Sequence, residues 1–247
     1  MTIKNATTVL AGAATLSLAA GAIAAPDGVH FGVYVNDQGN LATQGWISAE
    51  GGYQGDQLVF AFDALTNPVT NETFFDFGTN SPGGAFAYPG EIGLNFMSAL
   101  HGWDGSAFGE SGNTVTMTKQ DGSGESATSG AGFAPGLSWA IRDETTHPNN
   151  PAQWGRHHED ADYTINNADD NVLMYMIELS LFHTPGASGQ PQYGDSDTFW
   201  VIFNMSGSES DVLAAKDWIN ANLVPAPGAL ALAGLAGLFG ARRRRQA

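Results

Sequence analysis

Cysteine is absent from the chain. That excludes thiol catalysis, thiolate metal sites and disulfide staples, so a folded domain here must hold itself by its core alone. Basic side chains are scarce as well: Lys and Arg together number 9, against 25 Asp and Glu. Five of the nine, Lys4 and Arg242 to Arg245, lie at the two ends, whereas every acid lies between residues 25 and 223. The net charge of that stretch is 4 − 25 = −21. Such a surface repels nucleic acid and anionic lipid, and it suits solubility or the attraction of divalent cations. There is no EF-hand spacing, no G-x-S-x-G elbow and no internal repeat. No apolar run reaches the roughly 20 residues with which a helix spans a bilayer.

What is present begins with two distinctive ends. Lys4 supplies a short positive region, an apolar run follows from Val9 to about Ala20, and Ala22-Ile23-Ala24 forms a small-x-small cleavage site. This is the pattern of a secretory signal peptide, with residues 1–24 forming the signal helix and cleavage after Ala24. Export through the Sec translocon follows as an expectation. At the other end, 224–247, Val224 and the Pro225-Ala226-Pro227 triplet precede an apolar run from Gly228 to Ala241, closed by Arg242, Arg243, Arg244 and Arg245. The run is short for a spanning helix, but it has no polar face, and the arginines suit a cytoplasmic boundary.

This tail resembles the PEP-CTERM sorting signal of surface-anchored Gram-negative proteins, in which a Pro-Glu-Pro triplet, an apolar segment and an arginine cluster occur in this order. Here Ala226 stands in place of the Glu. The resemblance implies an exosortase-type processing enzyme as partner, and a membrane contact made only through the uncleaved tail, which would form a short apolar helix. It also implies a location at the cell surface or outside the cell.

Residues 25–223 suit one domain with a sizeable core. Glycine is abundant, and Asn, Asp and Ser punctuate short apolar runs, as turns between strands require. Period-two alternation in "VHFGVYV" puts Val29, Phe31, Val33 and Val35 on one face. "QLVFAFDAL" and "NTVTMTK" alternate in part, "NVLMYMIELSLF" is apolar enough to be central, and "DTFWVIFNM" reads as a buried strand. "SESDVLAAKDWINANL" reads as a helix capped by Ser208 with Asp211 three residues on, and with Val212, Ala215, Ile219 and Leu223 in one stripe. "TKQDGSGESATSGAG" reads as a low-complexity loop. The expected fold is all-β, a β-sandwich with one late α-helix.

The chemistry-bearing stretch is "RHHEDADYTI", Arg156 to Ile165. Read as a strand, it sends Ala161, Tyr163 and Ile165 to the core and His158, Asp160 and Asp162 to the opposite face, with successive same-face residues about 7 Å apart. In the first strand the same alternation puts His30 on the polar face. His30, His158 and Asp160 therefore meet if the two strands are neighbours, and imidazole with carboxylate suits zinc or another divalent metal. The alternative is a solvated acidic strand. The stretch also reads His158-Glu159-x-x-Asp162, close to the zinc-protease pattern, but "YTINNADDN" is a poor helix. Gly194-Asp195-Ser196 reads as a turn rather than a nucleophile. Six tryptophans, Trp46, Trp103 and Trp154 among them, offer a sugar-stacking platform if exposed.

Together "DGVHFGVYVNDQGNL", "GWDGSAF", "HHEDADYTI" and "GDSDTFWVIFN" resemble exported PEP-CTERM proteins that include a Zur-repressed, zinc-linked group, and surface-anchored domains with a first-strand histidine and a later His-x-His strand. By position the first-strand histidine is His30, and the pair falls on His158 and Asp160, an Asp replacing the second His. The resemblance implies a non-enzymatic domain of the cell envelope or extracellular matrix that handles zinc. A carbohydrate-binding module acting on extracellular polysaccharide, and a hydrolase with an unrecognised site, are the rival expectations.

Overall fold

The computed structural model describes residues 30–47 and 52–225. The expected signal segment lies outside the described residues, as do Pro227 and Arg242 to Arg245 of the expected sorting tail. Among the described residues the strands are, in chain order, β1 (His30–Val35), β2 (Leu41–Ile47), β3 (Gly52–Asp56), β4 (Val59–Asp63), β5 (Leu65–Thr66), β6 (Thr73–Asn80), β7 (Gly90–Phe96), β8 (His101–Trp103), β9 (Phe108–Glu110), β10 (Thr114–Lys119), β11 (Ser126–Thr128), β12 (Ser138–Ala140), β13 (His158–Asn166), β14 (Met174–Pro185) and β15 (Phe199–Asn204). A 3-10 turn, Pro151–Gln153, precedes β13, and α1 (Glu209–Asn222) follows β15.

The strands form two mixed sheets. The first runs β11-β10-β13-β6-β1-β2-β3, with β5 attached to β6; the second runs β12-β7-β14-β15-β4, with the β8–β9 hairpin attached to β14. Pairing is antiparallel except for β1 with β6 and β15 with β4. The fold is an all-β sandwich with one late helix. Alternation explains its core. Phe31, Val33, Phe75, Phe77, Val115, Met117, Ala161 and Tyr163 point inward from the first sheet. They meet Phe60, Phe62, Ile92, Leu94, Tyr175, Ile177, Phe199 and Phe203 from the second. Phe77 lies stacked between Phe62 and Tyr163, with ring centroids 4.1 and 3.9 Å away. Burying each such side chain contributes about 1.5–3 kcal/mol, which a cysteine-free domain needs.

Strands β4, β14 and β15 are apolar on both faces because helix α1 covers the second sheet from outside. Val212, Ala215 and Ile219 of α1 pack on Val59, Ala61, Met174, Met176, Trp200 and Ile202. The helix begins as its sequence predicts. The Ser208 hydroxyl accepts from the Asp211 backbone N–H, and the Asp211 carboxylate accepts from the Ser208 N–H, which satisfies two otherwise orphaned donors.

Two expectations need correction. The 118–132 stretch is not one loop: β11 pairs back on β10, and the Thr116 and Thr128 hydroxyls meet at 2.9 Å. Small hydroxylated residues on an edge strand leave little alternation to read. Strands β1 and β13 are also not neighbours, because β6 lies between them.

Candidate metal centre

That intervening strand decides the site. "TFFDFGTN" sends Phe75 and Phe77 into the core and leaves Asp76, Gly78 and Asn80 on the outer face. The register places Gly78 opposite His30 on one side and opposite Asp160 on the other, while Asn80 stands opposite His158. Any side chain at 78 would fill the space between the two flanking strands. A Cβ there would come within 2.6 Å of Asp160 Oδ1 and 2.1 Å of the Glu159 carbonyl oxygen. With glycine, the side chains of β1 and β13 reach each other across a bare strand.

His30 Nε2 lies 2.8 Å from Asp160 Oδ1 and 3.1 Å from His158 Nε2. The two imidazoles meet edge to face, at 74° and 4.8 Å between centroids. One ligand atom from each of the three residues lies within 4.8 Å of the others. Donors placed about 2.05 Å from a tetrahedral zinc ion are about 3.3 Å apart, close to the two short separations.

His30 Nε2 carries either one hydrogen or one lone pair in the ring plane. A single hydrogen there is shared between Asp160 Oδ1 and the lone pair of an unprotonated His158 Nε2. The same three atoms, each with a lone pair turned to one point, could instead hold a cation.

The protonation states suit that role. Burial holds the His158 imidazole well below its ordinary value, down to about 4, helped by the charges of His30, Arg156 and Arg142 and opposed by Asp160. Its ring is neutral at neutral pH and has a lone pair to give. The hydrogen bond from His30 holds the Asp160 carboxyl below the usual range despite partial burial, so it is ionised.

The surrounding polar groups are already engaged. Arg156 forks onto Asn80 Oδ1 at 3.2 and 2.9 Å, and Arg142 Nη2 donates to the His158 carbonyl at 2.7 Å. Gln153 Oε1 accepts from both guanidinium groups at 2.9 Å. These bonds fix the start of β13. Gln120 Nε2 donates to Asp76 Oδ1 and to Asp162 Oδ1, each at 2.8 Å. Burial raises the Asp76 carboxyl, with Gln120 acting against it. It also raises Glu159, whose Oε1 is 3.7 Å from Arg142 Nε.

All three predicted ligands, His30, His158 and Asp160, come together. Asp162, on the same face, belongs instead to the Gln120 cluster. Sequence reading missed Gly78, Asn80, Gln120 and the two arginines, although the alternation in "FFDFG" was there to find β6. The protease-like His158-Glu159-x-x-Asp162 pattern lies on a strand, so it lacks the helical turn that its chemistry needs. Ser196 Oγ accepts from the Leu181 N–H and donates to the Asp197 carbonyl, which is a structural role. Trp103 is buried in the cluster beneath α1, and half-buried Trp154 donates its indole N–H to the His147 carbonyl. The side chain of Trp46 lies outside the described residues. Val224 and Pro225 follow Leu223, the C-cap of α1, at the limit of the described chain.

No family model matches the chain, and no curated protein matches it. Among solved structures it is similar to the N-terminal domain of PorA, at 10% identity and a TM-score of 0.31, covering 64% of this chain and 95% of that one. A likeness this slight carries no argument about function.

Proposed function

We propose that this protein is an exported, non-enzymatic β-sandwich of the cell envelope or extracellular matrix that captures a divalent metal such as zinc at His30, His158 and Asp160. The observation that carries the metal reading is the position of His30 Nε2, 2.8 Å from a carboxylate oxygen and 3.1 Å from a second imidazole nitrogen. Two imidazoles and a carboxylate are a donor set for zinc and similar ions. The acid excess gathers cations around the molecule. Export and surface attachment rest on the two terminal sequence patterns. An exosortase-type enzyme would process the tail.

Zinc titration by calorimetry on the whole chain tests the metal reading. The expected result is one ion per chain with micromolar affinity or tighter, abolished in a His158→Ala/Asp160→Ala variant. Absence of saturable binding, or binding unchanged in the variant, would return the stretch to a solvated acidic strand. A sugar-binding reading has less support, because Trp103 is buried and Trp154 is only partly exposed.

A further inference from the structure

We infer that this site passes its ion on by direct hand-over to a small multidentate chelator, which binds the ion before any protein ligand lets go. The inference rests on the metal reading above and adds how the ion leaves. Among the described residues three ligands gather, and all three rise from one surface, the outer face of β1, β6 and β13. Gly78 forms the floor between them. An ion held there has its protein donors around and beneath it and its remaining positions facing away from the sheet. Solvent reaches the group chiefly at Asp160, whose side chain is 38% exposed against 13% for His30.

Asp76 and Asp162 each give Oδ1 to the amide of Gln120, Asn80 Oδ1 is held by the Arg156 fork, and none of the three belongs to the group of gathered ligand atoms. An ion held by the triad alone would keep one position if four-coordinate, and three if six-coordinate, for outside donors. A chelator bearing carboxylate or imidazole groups places its first donor in an outward position as a water leaves. Its further donors then displace the Asp160 oxygen and the two Nε2 atoms. The ion keeps its charge throughout, nothing is oxidised, and the imidazoles are left with their lone pairs.

Stopped-flow mixing of the zinc-loaded whole chain with excess 4-(2-pyridylazo)resorcinol reads this step from the colour of the zinc–dye complex. Hand-over predicts a release rate proportional to dye concentration, so tenfold more dye gives a tenfold faster rate. A rate that does not change with dye would overturn the inference, because the ion would then leave unaided. A calorimetric stoichiometry of two chains per zinc would also overturn it, since a second copy would occupy the outward positions. Failure of the metal reading itself looks different: no saturable zinc uptake occurs, and both proposals fall together.

Discussion

Single residues carry the pH response. His183 is buried, its Nδ1 accepts from the Tyr193 N–H at 3.3 Å, and its Nε2 has no hydrogen-bond partner. With Nδ1 accepting, the neutral ring carries its hydrogen on Nε2, so a second proton would go to Nδ1 and face the Tyr193 N–H, and burial lowers the tendency of this imidazole to take it. The unfolded chain has no such constraint and titrates near the ordinary value, about 6.5. Stability from His183 is therefore complete above about pH 6.5 and declines as pH falls, because the unfolded state gains the proton first. Denaturant melts between about pH 7 and 5 are expected to show this decline, to which His157 and His158, whose imidazoles burial holds down to about 3 and about 4, also contribute. In His183→Gln the slope is expected to shrink. A slope unchanged by the substitution would assign the effect to other groups. At this scale the sequence was informative where alternation alone decided orientation. It placed His30, His158 and Asp160 on polar faces. It was silent on Gly78, because a glycine has no side chain to betray which face it leaves bare.

Among the elements, β6 turns two distant strands into one site. The stretch "FFDFG" has a readable period of two, but which strands flank it is set by long-range pairing that local pattern does not encode. The helix was legible for the opposite reason: its cap and stripe are local, and both appear in the structure. The β10–β11 hairpin escaped notice because its second strand offers only Ser126, Ala127 and Thr128. The dependence on β6 has a measurable consequence. Gly78→Ala puts a methyl group where 2.1 Å separates it from the Glu159 carbonyl oxygen. Strand β13 must then shift away from β6, moving His158 and Asp160 together relative to His30. Zinc affinity is expected to fall at least about tenfold, with a lower melting temperature from the disturbed pairing. Asp160→Asn serves as the comparison, since it removes charge without steric push. Its affinity is expected to fall with little change in melting temperature. Unaltered zinc binding in Gly78→Ala would show that the bare strand is not required.

At the scale of the whole molecule, charge governs how an ion arrives. Residues 25–223 hold four basic side chains, and two of these, Arg142 and Arg156, stand beside the triad with their guanidinium groups engaged. The remaining surface is dominated by carboxylates whose summed field draws divalent cations inward. At about 0.1 M salt that field is screened beyond roughly 10 Å. The association rate constant for zinc is therefore expected to drop at least about twofold between roughly 20 and 200 mM sodium chloride, while dissociation changes little. Stopped-flow association at the two salt concentrations checks this, and equal rates would mean that only the immediate ligands attract the ion.

Helix α1 lies on the outer face of one sheet, and the triad lies on the outer face of the other. Two sheets, packed about 10 Å apart, stand between them. The chain departs from α1 through Val224 and Pro225 on the helix side. A bead coupled at Val224 itself would sit on the helix face, leaving the two histidines on the face turned away from it.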